Sequence, residues 1–128
     1  MSAALFRNDR PIFAQIATAL EDEILAGRLA PEGRVPAVRD HAAFLGVNPN
    51  TVARAFDLLE AAGVLEKRRG LGSYVSSNAR ALILARRRRA FLEEELPALA
   101  RTMHLLGIDP DTVARAYVDA AAAQGKAP

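Results

Sequence analysis

Asn50, Thr51 and Arg54 are the residues of this chain best suited to reading base edges. An amide bonds adenine at two points, a guanidinium bonds guanine at two points, and a threonine methyl meets the methyl of thymine. Their placement suits the task. Asn48 is a natural helix cap and Pro49 a natural first helical residue. That start puts all three on the opening turns of a helix, where helix-turn-helix proteins make their base contacts. Upstream, Arg39 offers a guanidinium that matches phosphate geometry, a contact that positions the protein without reading sequence. Downstream, Lys67-Arg68-Arg69 runs into Gly70-Leu71-Gly72. Arginines there suit phosphates or a narrow minor groove, and the glycines let backbone approach closely. The candidate DNA contacts are therefore Arg39, Asn48, Asn50, Thr51, Arg54, Lys67, Arg68, Arg69, Gly70 and Gly72.

Other chemistries are poorly supplied. There is no cysteine, so disulfides and thiolate metal sites are ruled out. His41 and His104 are the only imidazoles. His104 with Asp109 and Asp111 makes too small and too loosely spaced a set for a metal. No phosphate loop, carboxylate pair or nucleophile–histidine arrangement is evident. No catalytic residue, metal site or cofactor is expected, and the chain does not read as an enzyme.

The elements that must position these residues follow from local patterns. Residues 11–26 read as a helix, with Pro11 in its first turn, Phe13, Ile16, Leu20 and Ile24 on one face, and Gly27 as its stop. Pro36 opens a second helix to about Leu45, closed by Gly46. The third helix runs from Asn48-Pro49 to Gly63 with Val52, Ala55, Phe56 and Leu59 as its apolar stripe. Val64–Glu66 and Ser73–Ser76 are short strands of a hairpin. After about Asn78 the composition turns to alanine, leucine and charge. Leu92, Leu96, Leu99, Met103 and Leu106 recur at alternating steps of four and three, a helical seam suited to dimerisation. Pro97 inside it predicts a kink or break. Asp109-Pro110 caps a last helix to about Ala122, with Val113, Ala116, Tyr117 and Ala120 inward and a frayed tail from Gln124 to Pro128. Arg86–Arg89 and Glu93–Glu95 point around most of a helix and read as solvated charge with some pairing across a dimer, with direct DNA contact by the arginines as the alternative.

The fold class is thus mainly α (α+β): a winged helix-turn-helix domain over 1–77, then a short two-helix dimerisation region over 78–128. The net charge of +2 is small, but its distribution is uneven. Residues 34–54 carry Arg34, Arg39 and Arg54 against Asp40 alone, while the first helix carries Glu21, Asp22 and Glu23. One basic face is expected. No apolar run approaches the length of a membrane span, and Met1–Arg7 lacks the character of a signal peptide. A cytoplasmic location without membrane partners is expected.

Several motifs in order carry a resemblance: Pro11–Ile16, Gly27–Pro31, Val35–Arg39, Leu45–Val52 and Arg69–Val75. Over about residues 10–76 the chain resembles the GntR family of bacterial winged-helix transcription regulators. By that resemblance Arg39, Asn50, Thr51, Arg54, Gly70 and Gly72 fall on DNA-contact positions. The chain departs from the pattern at Ala37, where serine is usual, at His41, where leucine is usual, and at Asn48-Pro49, where Ser-Arg is common. His41 reads as a half-buried packing residue. About 50 residues follow the wing, which resembles the short YtrA-like group, whose tail mainly dimerises. The resemblance implies a homodimer on a palindromic operator of double-stranded DNA, acting as a repressor, with a transporter operon as its target by analogy. A small-molecule effector of unknown identity remains a candidate partner. The alternative is a winged-helix protein–protein adaptor without sequence-specific DNA binding.

Overall fold

The computed structural model describes residues 6–125. Helices α1 (Ile12–Leu25), α2 (Val38–Leu45) and α3 (Pro49–Ala61) precede an antiparallel hairpin of β1 (Leu65–Arg68) and β2 (Gly72–Val75). Then come α4 (Ala79–Ala90), a π-helical segment (Phe91–Glu95), α5 (Leu96–Leu106) and α6 (Pro110–Ala123). The chain forms two compact units that divide between Arg86 and Arg87.

The first unit is built on one apolar core. Ile16, Leu20 and Ile24 line the inner face of α1, and Val52, Phe56 and Leu59 that of α3. Ala42 and Leu45 come from α2, and Val35, Val64, Leu65 and Val75 from the hairpin and the strand-like chain beside it. Ala79 and Ile83 complete the core from α4. The first turns of α4 therefore pack with the wing, so the boundary expected at 77/78 falls ahead of them.

Two helix starts differ from expectation. Pro11 is the cap of α1 and not a residue of its first turn: its backbone is extended, and its carbonyl accepts from the N–H groups of Ala14 and Gln15. Pro36 likewise precedes α2, which begins at Val38 after an extended Ala37. The cause is the hairpin. Val35 N–H donates to Ser73 O, Val75 N–H donates to Gly33 O, and Arg34 bridges Tyr74. The chain must leave β2 before it can coil. The turn between α2 and α3 is as expected. Gly46 adopts the left-handed conformation at φ 71°, and Asn48 Oδ1 accepts from Asn50 N–H at 2.8 Å.

β1 reaches further toward the tip than expected. Lys67 pairs with Ser73 and Arg68 with Gly72, leaving Arg69-Gly70-Leu71 as the turn. Leu71 N–H donates to Arg68 O at 2.8 Å.

The second unit has no buried residue among 87–125. Val113 is half-buried, but Ala116, Tyr117 and Ala120, expected inward, are exposed within the single chain. Helices this few and this short have too little surface to enclose a core. Pro97 does not break the chain. The turn before it widens instead, with Leu96 N–H donating to Phe91 O, five residues back. Proline supplies no N–H and its ring crowds the carbonyl four residues earlier, a clash that a wider turn relieves. Gly107 ends α5 in the left-handed conformation, and Asp109 caps α6 by accepting from Thr112 N–H at 2.9 Å. Gln124 closes α6; residues 126–128 of the expected tail and 1–5 of the N-terminal segment lie outside the described residues. Among the described residues, no helix is long and apolar enough to cross a membrane.

Candidate nucleic-acid interface

Burial of Val52, Ala55, Phe56 and Leu59 fixes the rotation of α3. Asn50 and Arg54 are left exposed and Thr51 half-exposed at its opening turns. Asn48 is exposed too, but its side-chain oxygen is committed to the cap, so only its NH2 group remains to donate outward.

Arg54 is not a loose surface charge. Its guanidinium carbon lies 4.1 Å from the ring centroid of Phe13 on α1. A cation over an aromatic face is attracted by the ring quadrupole, so Phe13 holds Arg54 in place while leaving its outer edge open. Phe13 reads from sequence as a core residue only; no local signal marks it as a support for Arg54.

The wing cations divide into two kinds. Arg68 is engaged through two of its nitrogens: Nε donates to Glu66, Nη2 donates to Glu32 at 2.5 Å and to Glu66 at 2.8 Å, and the guanidinium lies 4.1 Å over Tyr74. The carboxylates of Glu66 and Glu32 hold its pKa above the ordinary value. Two carboxylates thus already offset its charge, and Nη1 is the nitrogen left to donate outward. Lys67 and Arg69 are exposed and make no hydrogen bond or ion pair among the described residues. Gly70 and Gly72 both have positive φ, at 76° and 106°.

Arg39 is exposed on the first turn of α2 and has no partner among the described residues. Arg34 joins it as a residue that sequence reasoning counted as charge but did not place. Its bridge to Tyr74 lays it along β2, and its Nε would meet a side chain at position 72 at only 3.3 Å. Glycine at 72 therefore serves the positive φ and leaves room for Arg34 at the base of the wing. Arg34 and Tyr74 are far apart in sequence, so only the folded hairpin reveals the juxtaposition.

The remaining candidates have structural roles. His41 sits edge-on to Phe56 with ring centroids 6.1 Å apart, and burial pushes its pKa below the ordinary value. Arg86 departs from the reading of solvated charge: it neutralises Glu21, whose side chain is only 5% exposed, with Nη2 spanning both carboxylate oxygens at 2.5 Å. Arg89 pairs with Glu93 at 3.3 Å. Asp109 is held below the usual carboxylate range by the backbone N–H and hydroxyl of Thr112. Among the described residues, no three His, Asp or Glu side chains come together as a metal site. Leu92, Leu96, Leu99 and Leu106 are exposed, and Met103 half-exposed, on the second unit.

Known proteins resemble this chain in sequence and fold. The model of the bacterial regulatory proteins of the gntR family matches residues 13–75. The chain is 34% identical over 103 residues to the HTH-type transcriptional repressor YtrA of Bacillus subtilis (strain 168), an alignment covering 80% of this chain and 78% of that protein. A GntR family transcriptional regulator from Listeria monocytogenes superposes with a TM-score of 0.72 at 28% identity, over 89% of this chain and 97% of that one. A GntR-family chain from Bacteroides thetaiotaomicron gives a TM-score of 0.70 at 36% identity, over 88% and 98%.

Proposed function

This chain belongs to the GntR family of bacterial regulatory proteins, and from that premise we propose that it is a cytoplasmic, dimeric repressor that binds a palindromic operator sequence-specifically. The observation that carries the reading is the exposed opening of α3 on a unit whose Arg34, Arg39, Lys67 and Arg69 side chains have no ion-pair partner among the described residues. Asn50 and Thr51 read bases from the major groove, with Arg54 presented beside them by Phe13. Arg39 and Arg34 hold phosphates, and the glycine-bearing wing lies against the adjacent groove or backbone. The second unit supplies the dimer through its uncovered apolar side chains, Leu92, Leu96, Leu99, Met103 and Leu106 among them. A two-fold dimer presents two copies of α3 to half-sites about one duplex turn apart, which requires a palindrome. Repression follows from occupying a promoter, as the name of the Bacillus relative indicates for that protein. The family resemblance suggests a transporter operon as the target.

Fluorescence anisotropy on the duplex upstream of its own gene, beside a scrambled duplex, tests this. Asn50→Ala is expected to weaken the native duplex alone, by about 1–3 kcal/mol. Arg39→Ala should weaken both duplexes alike. Arg54→Ala also removes the stacking on Phe13, roughly 0.5–2 kcal/mol, so its effect is read beside a thermal melt. Equal affinity of the wild type for native and scrambled DNA would favour the adaptor reading.

A further inference from the structure

The first unit contains a cleft of about 470 Å³ between α1 and α3, closed at one side by Arg86. Its size is that of a small-molecule site. Its floor is apolar, made by Ala14, Ala17, Leu58 and Leu59. Leu58 is 46% exposed there, although it lies on a helix whose other large apolar residues are buried. The operator reading makes no use of this surface.

The polar groups around the floor are unbalanced. Arg10 and Arg86 bring two positive charges, and Glu21 brings one negative charge. Both oxygens of Glu21 accept from a single nitrogen, Nη2 of Arg86. The Nε and Nη1 hydrogens of Arg86 have no partner among the described residues, and the side chain is 50% exposed. Arg10 spends one nitrogen on Thr18 Oγ1, at 3.2 Å. Two guanidinium groups with donors to spare thus stand over an apolar floor, with a net charge of one positive unit. That pattern matches an anion with a hydrocarbon body, because a guanidinium bonds a carboxylate through two parallel N–H groups. A cation would face the excess positive charge, and a neutral alcohol would leave most donors unused.

We propose that this cleft binds a small organic carboxylate, its head held by Arg10 and Arg86 and its hydrocarbon body laid on Ala14, Ala17, Leu58 and Leu59. Glu21 stays on Nη2 of Arg86, whose Nε and Nη1 offer the ligand single N–H bonds, and the two-point contact comes from Arg10. The site lies within the winged unit, on α3 itself, so its ligand has direct access to the helix that carries Asn50 and Arg54.

Isothermal titration of the full chain with sodium hexanoate, without DNA, tests the site. Saturable uptake of one hexanoate per chain is expected, with hexylammonium and hexanol at least tenfold weaker. Arg10→Ala should weaken hexanoate at least tenfold. Leu58→Asp should abolish uptake by setting a carboxylate in the floor. Both positions are exposed, and thermal melts verify that the variants fold; if Leu58→Asp does not, Arg10→Ala decides alone. No saturable heat up to about 10 mM, a range that reaches affinities too weak to matter, overturns the proposal. So does hexanol binding as well as hexanoate, hexylammonium binding better, or Arg10→Ala binding like the wild type. Because no DNA is present, this outcome and that of the operator experiment are independent.

Discussion

Leu99→Asp together with Met103→Asp is expected to break the proposed dimer and to lower affinity for the proposed palindromic duplex at least 100-fold. Among its described residues the second unit has none buried, and Phe91 is 47% exposed, Leu92 59%, Leu106 64% and Tyr117 60%. Large apolar side chains left exposed together on one unit mark a surface that another molecule covers. At about 25 cal/mol per Å², such side chains can drive association, whereas a carboxylate carried into the contact costs several kcal/mol to desolvate. DNA affinity falls because the two halves no longer act together. A dimer bound at one half-site holds its second α3 at high local concentration over the other, and a monomer has no such advantage. Sedimentation and anisotropy on the same samples check both effects. A variant that remains dimeric at micromolar concentration would remove Leu99 and Met103 from the seam.

Ile83→Ala is expected to destabilise the first unit by about 3 kcal/mol, within the range for emptying a filled aliphatic site. In a unit of this size that lowers Tm by on the order of 15 °C. Ile83 is fully buried although it belongs to α4, beyond the hairpin. The effect is large because the core around it is small. Val35, Val64 and Val75 are also fully buried and come from segments with little freedom to close over a cavity. A chain ending after Ser77 should consequently fail to show a cooperative melt, while one ending after Ala90 should show it. Calorimetry of the two lengths and of the Ile83 variant decides the matter; an unchanged Tm in the variant would place α4 outside the winged core.

The parts of the fold that were legible in the sequence are those decided within a few residues. Asn48, Pro49 and Gly46 act on their own turn, so the α2–α3 junction follows from their types alone, as do the Gly107 stop and the Asp109 cap. Burial by periodicity is equally local, and the inner faces of α1 and α3 were legible for that reason. Errors arose where distant backbone intervenes. Pro36 looks like a helix start until β2 captures residues 33–35. Val113, Ala116, Tyr117 and Ala120 show a helical apolar face, but periodicity does not say whether its cover lies in the same chain. Of the interface candidates, Asn50 and Arg39 are exposed and Thr51 half-exposed, as the apolar periodicity of their helices leaves them. The tie of Arg54 to Phe13, the engagement of Arg68 by Glu32 and the placement of Arg34 beside Gly72 all depend on residues remote in sequence.

The pairing of Arg68 has a consequence for the ions that surround a duplex. Sodium or potassium condensed on DNA is released when a protein cation replaces it at a phosphate, and each replacement adds about 0.9 to the steepness of log K against log salt. Arg68 already has two carboxylate partners, so it is expected to displace little. A count of every wing cation as a phosphate contact would overstate the slope by about two for a dimer. Binding should therefore survive rising salt better than the basic appearance of Lys67-Arg68-Arg69 suggests.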